Sequence, residues 1–255
     1  MLSRLRRALR PRPIPDQLWR AAVARTPYVH GLPRARQSEL RELATRLLRK
    51  KAFQAAHDLA LTDAMCTLIA VRAAVPVLGL GLDFYRDWVT IIVYPGDFRV
   101  RHSYTDDIGV EHHYVDELCG ESLSDGPMVL SWEAIASQDG SDGTDLVIHE
   151  CAHKLDILNG DANGFPPLHR DMSRKAWTSA FREAYDRFAA AVDAGEQTQL
   201  DPYAATDAAE FFAVLSEAFC TQPRWVADPF PDVYHQLRAF YRQDPPLAAP
   251  RRGHR

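Results

Sequence analysis

Apolar residues recur at helical spacing through the first part of the chain. In SELRELATRLLRKKAFQAAHDLAL, leucines and alanines return every three or four positions, as on one face of an amphipathic helix. This spacing predicts helices over residues 14–28 and 36–60. A more apolar helix is predicted over residues 62–75, ending before Pro76. The N-terminal part is therefore expected to be helical.

The hydrophobic period shortens near residue 88. WVTIIVYP, residues 88–95, is rich in β-branched and aromatic side chains and predicts a strand. FRVRHSY and VEHHYV alternate in a way that predicts a hairpin. GPMVLSWEAI, residues 126–135, predicts another strand. We therefore expect a small sheet that is mainly antiparallel or mixed.

Helical spacing returns in the second half of the chain. TDLVIHECAHKLDILNG begins with a capping residue, Thr144 or Asp145, and ends at an Asn-Gly pair. Further helices are predicted over residues 174–194 and 207–222. Helices, then a small sheet, then more helices predict an α+β fold.

The domain prediction is a single domain over residues 14–243. Before it we expect a basic, flexible N-terminus at residues 1–13. After it, the proline- and arginine-rich residues 244–255 are expected to form a disordered tail.

Composition places the chain among ordinary soluble proteins. Its 255 residues are 46% hydrophobic and 25% charged. A formal net charge of −4 gives no reason to expect direct nucleic-acid binding. The four cysteines form no C-x-x-C pair, which fits a reducing compartment. No secretory signal and no membrane-spanning apolar run are recognisable, so we expect a cytoplasmic protein without a membrane span.

The strongest chemical signal is the order H-E-x-x-H at His149, Glu150 and His153. Chance alone would produce this order about 0.02 times in a chain of this composition. On a helix the two histidines lie about 40° apart, one turn above the other, so both imidazoles can bind one zinc ion. Glu150 sits beside them and can reach a water on that zinc.

A catalytic zinc usually takes three protein ligands, so one ligand must come from elsewhere. The metzincin pattern would need a glycine and a ligand where this chain has Asp156 and Asn159, which excludes it. Asp156 shares the helical face of the histidines. Its favoured role is to accept the free N–H of a ligating imidazole.

Better candidates for the third ligand lie in DPYAATDAAEFFAVLSEAFCTQP, residues 201–223. Glu210 and Glu217 are seven positions apart and share one face of a helix. Glu210 can be the zinc ligand, as in gluzincins, or the N3 residue of a capping box with Asp207 as N-cap. Glu217 would hydrogen-bond to one of the metal-ligating side chains, or would itself bind the metal if Glu210 only caps the helix.

These stretches resemble the Mlc titration factor A family of zinc metallopeptidases. The resemblance is carried by HECAHKLDILNG and YAATDAAEFFAVLSEAF, with VYPGDF and GPMVLSW upstream, and runs from about residue 20 to 240. That family is similar in its catalytic core to the protease domain of anthrax lethal factor. The resemblance therefore implies a zincin-like core with a second, ligand-bearing helix.

The resemblance also implies roles for single residues. One zinc ion per chain would be held by His149, His153 and Glu210, with Glu150 as the catalytic base. Tyr203 matches the tyrosine that lethal-factor-type sites place opposite the base. The implied activity is aminopeptidase-like hydrolysis of short peptides, linked to regulation of glucose uptake.

Two expectations about partners follow. The strand GPMVLSW is a candidate cleft edge where an extended peptide substrate would pair, although a buried core strand explains its pattern equally well. The resemblance implies a Mlc-type transcriptional repressor as a second partner. The alternative function is then a regulatory protein that sequesters this repressor, with zinc mainly structural.

Overall fold

Helices surround a small central sheet. The computed structural model describes residues 13–96, 98–105, 111–118, 120–122 and 126–247, with side chains in the first and last of these ranges. The helices are α1 (Asp16–Ala24), α2 (Pro27–His30), α3 (Arg34–Lys50), α4 (Asp63–Ala74), α5 (Trp132–Ser137), α6 (Leu146–Asp156), α7 (Arg174–Asp193), α8 (Ala208–Thr221), α9 (Arg224–Ala227) and α10 (Pro231–Tyr241). Short 3-10 turns lie at Leu82–Tyr85, Ile157–Asn159 and Pro202–Ala205. The strands are β1 (Ala52–Ala55), β2 (Thr90–Tyr94), β3 (Phe98–Thr105), β4 (Glu111–Leu118), β5 (Gly120–Ser122) and β6 (Met128–Ser131).

Three of the four strands of the main sheet are parallel. β2 lies between β1 and β6 and is parallel to both, and the short β5 joins β6 antiparallel at the edge. The prediction of a mainly antiparallel or mixed sheet is therefore wrong for the centre of the sheet. Alternation along a strand reports which side is buried and carries no information about strand direction. The predicted hairpin is confirmed as β3 and β4, which pair with each other outside this sheet.

Two predicted elements end earlier than their patterns indicate. The helix predicted over 36–60 stops at Lys50, and β1 follows because its backbone pairs with β2. The strand predicted over 126–135 stops at Ser131, whose Oγ accepts the N–H of Ala134 and begins α5. In both places, pairing or capping overrides the propensity of the local sequence.

Helices α9 and α10 were not predicted. Each is preceded or opened by a proline, Pro223 before α9 and Pro231 at the start of α10, and prolines indicate turns as readily as helix starts. α10 nevertheless buries an apolar face that includes Leu237, Phe240 and Tyr241.

An aromatic core holds α7, α8 and α10 together. Trp177 of α7 stacks on Phe181, with ring centroids 4.3 Å apart, and Phe212 of α8 and Phe240 of α10 pack on the same indole. Phe212 is fully buried, a burial that contributes about 2–3 kcal/mol. α8 is thereby fixed as the partner against which α6 packs.

α6 lies between α8 and the edge of the sheet, in contact with β5 and β6. Asp145 is its N-cap and accepts the N–H groups of Val147 and Ile148, at 3.1 and 3.3 Å. In the described ranges, no helix is long and apolar enough to cross a membrane. Of the predicted terminal segments, residues 1–12 and 248–255 lie outside the described residues.

Candidate metal centre

Two helices bring three ligand atoms together. α6 carries His149 and His153 one turn apart, and their Nε2 atoms are 3.0 Å from each other. Glu210, in the first turn of α8, lies 3.1 Å from His149 Nε2 through Oε2 and 3.4 Å from His153 Nε2 through Oε1. One candidate ligand atom from each of these three residues lies within 4.8 Å of the other two.

The spacing of these atoms fits one metal ion. Ligand atoms at 2.0–2.2 Å from a tetrahedral zinc are separated from one another by about 3.3 Å, close to the three distances seen here. Glu210 Oε2 is buried, and the His149 imidazole 3.1 Å away is its one polar neighbour given by the described residues. Because two imidazole lone pairs and a carboxylate repel one another at this range, the arrangement calls for a cation between them.

The electrostatics of the site favour positive charge. Burial lowers the pKa of the His149 imidazole, but Glu217 and Glu210 outweigh it and raise that pKa well above its usual value. Burial raises the pKa of Glu210, yet hydrogen bonds and charge from His149 and His153 bring it down to about 2. The carboxylate of Glu210 is thus ionised at any physiological pH, as a metal ligand must be.

Glu217 contacts the imidazole nitrogen of His149 that points away from Glu210 and His153. Its Oε1 is 2.7 Å from His149 Nδ1, and its Oε2 accepts the backbone N–H of Asp145 at 2.6 Å. With Nδ1 assigned as the protonated nitrogen, the lone pair of Nε2 faces Glu210 and His153. Burial raises the pKa of the Glu217 carboxyl, partly offset by His149. This position allows Glu217 to orient the His149 imidazole, whereas Glu210 is grouped with the two histidines as a residue that could hold a metal ion.

Glu150 and Tyr203 lie on different elements, each of which carries residues of the centre or packs against a helix that does. Glu150 is buried in α6 next to His149, with only 3% of its surface exposed. Tyr203 lies in the 3-10 turn Pro202–Ala205, which packs against α8, and its side chain is 49% exposed. Asp201 accepts the N–H of Tyr203 at 2.9 Å and caps this turn.

Asp156 has different partners from those predicted. Its Oδ2 accepts the backbone N–H groups of Asn163 and Gly164, at 2.8 and 2.7 Å, and its Oδ1 is buried without a hydrogen-bond partner among the described residues. Burial raises the pKa of this carboxyl to about 6, against the two N–H groups and the charge of His153. Asp156 therefore ties the loop after α6 back onto the helix.

The strand GPMVLSW is not the edge of a cleft. β6 is hydrogen-bonded to β2 on one side and to β5 on the other, and its four residues are buried, so no substrate backbone can pair with it. Among the described strands, the edge of this sheet next to α6 is formed by β5. The pattern of GPMVLSW reflects the buried core strand.

A buried ion pair at the start of α6 was missed in the sequence. Arg72 Nε lies 3.2 Å from Asp145 Oδ2, with both side chains fully buried, and the Tyr28 hydroxyl donates to the same oxygen at 2.6 Å. Asp145 was predicted only as one of two caps. No local pattern links it to Arg72 or Tyr28, because both lie far away in the sequence.

Comparisons with known proteins relate this chain to a family of metallo-peptidases. A sequence model described as glucose-regulated metallo-peptidase M90 matches residues 2–242. A protein named Mlc titration factor A from Pectobacterium atrosepticum is 39% identical over 232 residues, 89% of this chain and 86% of that protein. Proteins of the same name are 38% identical in Serratia proteamaculans and 36% in Yersinia pestis, each covering 89% of this chain. These alignments cover 87% and 84% of the two proteins.

Proposed function

This chain belongs to the family of glucose-regulated metallo-peptidases M90, and we propose that it is a zinc-dependent peptidase of aminopeptidase type. One observation carries this proposal. The imidazole nitrogens of His149 and His153 and the carboxylate oxygens of Glu210, from two packed helices, lie 3.0–3.4 Å from one another. Two imidazoles and one carboxylate suit one zinc ion per chain. When bound, zinc supplies Lewis-acid chemistry: it polarises a carbonyl and lowers the pKa of a water to about 7.

Glu150 is proposed as the general base and acid. It accepts a proton from the attacking water as the water oxygen bonds to the scissile carbonyl carbon. It then gives this proton to the nitrogen of the leaving amine as the C–N bond breaks. Burial of Glu150 supports the role because a largely dry surrounding strengthens its interaction with the reacting atoms.

Tyr203 is proposed to stabilise the transition state. Its phenolic O–H would donate to the carbonyl oxygen as that oxygen gains negative charge, a contact worth about 3 kcal/mol. Two hydrogen bonds hold the turn that carries Tyr203: Asp201 caps it, and the Tyr185 hydroxyl donates to Ala205 O at 3.0 Å. A fixed turn limits the motion needed to bring the phenol over the substrate.

The substrate is proposed to be a short peptide bound in an extended form. Among the described strands, β5 forms the edge of the sheet beside α6, and its backbone N–H and C=O groups are the proposed partners of the peptide. We therefore propose β5, the antiparallel neighbour of GPMVLSW, as the strand with which the substrate pairs. Pairing with this strand would require an extended backbone, which short peptides adopt more readily than folded proteins.

The test measures metal content and hydrolysis of an alanine-type chromogenic aminopeptidase substrate on three proteins. Wild type should hold about one zinc per chain and be active. Glu210→Ala should lose most of both. Glu150→Gln should keep its zinc and lose activity by about two to four orders of magnitude. Intact zinc and activity in Glu210→Ala would contradict the proposed ligand set and move the third ligand to Glu217.

A second candidate function is binding of a transcriptional repressor. It is favoured by the name of the relatives, Mlc titration factor A. We propose that this chain binds a Mlc-type repressor, a role that requires a surface and no turnover. Titration calorimetry of such a repressor with Glu150→Gln separates the two functions, since binding by an inactive variant would show that sequestration does not need hydrolysis. No heat of binding with either wild type or variant would exclude it.

A further inference from the structure

We propose that Tyr28 and Arg72 are positioning residues for the metal ligand His149, acting on it through Asp145 and Glu217. The inference rests on the proposed metal centre. Four consecutive contacts connect these residues, and three of the side chains in the series are almost fully buried: Arg72, Asp145 and Glu217. Tyr28, Arg72, Asp145 and Glu217 have no step in the proposed mechanism.

The first contact orients the imidazole. Glu217 Oε1 lies 2.7 Å from His149 Nδ1, so the carboxylate selects the tautomer whose Nε2 lone pair faces the metal position. A shift of Glu217 would rotate the His149 ring and misdirect that lone pair. Metal affinity therefore depends on how well the Glu217 carboxylate is itself held in place.

The second contact holds Glu217. Its Oε2 accepts the backbone N–H of Asp145 at 2.6 Å. Asp145 sits where the chain enters α6, and its peptide plane is set by its own side chain, which folds back to cap Val147 and Ile148 through Oδ1. The direction of the Asp145 N–H is thus coupled to the position of its carboxylate.

The third and fourth contacts fix the other carboxylate oxygen. Asp145 Oδ2 lies 2.6 Å from the Tyr28 hydroxyl, which donates to it, and 3.2 Å from Arg72 Nε. The guanidinium is anchored in turn, because its other two nitrogens donate to Ile135 O and Gln138 O. α2 and α4 therefore meet at one oxygen, and through it they set where α6 begins.

Of Tyr28 and Arg72, Tyr28 is the better residue to substitute, because its single contact with Asp145 can be removed with little other change. Its ring forms part of the wall of a cavity of about 480 Å³ that none of the proposed ligands lines, so Tyr28→Phe removes one hydroxyl and leaves the ring in place. Arg72 also donates to three carbonyls, and its removal would disturb packing as well. Tyr234→Phe is the matched control, since its hydroxyl also lies against an aspartate, Asp244, at 3.2 Å and away from α6.

The experiment is a double-mutant cycle on zinc affinity. The dissociation constant is measured by competition with a chromophoric chelator, well below all unfolding temperatures, on wild type, Tyr28→Phe, Glu217→Gln, the double variant and Tyr234→Phe. The visible spectrum of each protein loaded with Co²⁺ is recorded in parallel, because ligand-field bands report ligand geometry and do not respond to stability alone.

Tyr28→Phe should weaken zinc binding about three- to tenfold, less than the roughly 10–100-fold expected for Glu217→Gln, which removes the direct partner of the ligand. In the Glu217→Gln background the same change should weaken binding less than about twofold, since the path to His149 is already cut. The Co²⁺ bands should shift in Tyr28→Phe and stay unchanged in Tyr234→Phe.

Two results would overturn the inference: unchanged affinity in Tyr28→Phe, or an equal loss in both backgrounds, which would mean that the hydroxyl does not act through Glu217. A wild-type chain that binds no zinc would overturn the proposed metal centre and this inference with it. The wild-type measurement therefore distinguishes the two failures.

Discussion

At Glu210, a helix cap and a metal ligand compete for one carboxylate. Its position three residues after Asp207 is that of a capping box, yet Asp207 Oδ1 alone accepts the N–H groups of Ala209 and Glu210, at 2.8 and 2.9 Å. The carboxylate of Glu210 is left to face the imidazoles. Its place in the first turn of α8 also lets the positive end of the helix dipole stabilise its charge.

Asp156 should make the metal-free protein less stable as pH rises. Its pKa is raised from 3.8 to about 6 by burial, so the folded state binds a proton more tightly than the unfolded chain does. Stability from this group is fully present below pH about 4 and is lost as pH rises through about 6. Relative to Asp156→Asn, wild type should lose up to about 3 kcal/mol of unfolding free energy between pH 4 and 7.

Denaturant titrations of both proteins across that range, in the presence of chelator, measure the difference. Asp171→Asn is the control, because hydrogen bonding to Arg242 lowers the pKa of this exposed carboxyl and its titration falls below the window. The difference in unfolding free energy between Asp171→Asn and wild type should not change with pH. If the difference between Asp156→Asn and wild type were also independent of pH, the Asp156 carboxyl would ionise in the folded protein as easily as in the unfolded chain.

At the scale of elements, the loop after α6 packs closely against the first turn of α8. Gly164 has φ +73°, donates its N–H to Asp156 and accepts the Trp177 indole N–H at 3.1 Å. A Cβ at this position would lie 2.4 Å from Ala208 O, a backbone atom of the ligand helix. The loop can therefore approach α8 only with a glycine here.

Gly164→Ala should destabilise the protein by about 3 kcal/mol, combining the strain of a positive φ with the clash. It should also weaken zinc binding, because the shift would move the first turn of α8, which carries Glu210. Gly195→Ala separates the two causes. Gly195 has φ +71° with no atom within 4 Å of the added Cβ, so only the strain of about 1 kcal/mol applies. Equal losses in both variants, measured by thermal unfolding, would argue against the clash.

Elements with strong local signals were the predictable ones. α6 has a capping aspartate, apolar residues at helical spacing and a glycine stop, and each signal lies within a few residues of the others. β1 has no such signals, because AFQA is compatible with a helix and becomes a strand only by pairing with β2. Strand direction likewise depends on the path of the intervening chain, which no short window contains.

At the scale of the whole molecule, the centre joins segments that are distant in the sequence. The spacing of His149 and His153 is local to one helix and was predictable. The choice between Glu210 and Glu217 depended on how α8 is rotated against α6, which the aromatic core decides. Tyr28 and Arg72 reach Asp145 only after α2 and α4 have packed, so neither could be found by spacing.

Because the proposed ligands come from two helices, zinc should stabilise the folded protein as a whole. An ion that binds the folded state alone at 1,000 times its dissociation constant adds about 4 kcal/mol to the unfolding free energy. For a chain of this size that corresponds to a rise in Tm of roughly 10 °C between chelator and saturating zinc. Differential scanning calorimetry of wild type in both conditions measures the shift.

The shift should survive in Glu150→Gln, which keeps all three proposed ligands, and should nearly vanish in Glu210→Ala, because α8 then contributes no atom to the ion. Glu183→Ala, at an exposed position of α7, controls for loss of a carboxylate as such. If Glu210→Ala kept the full shift, the ion would be held by α6 without α8. Zinc binding would then not couple α6 to α8.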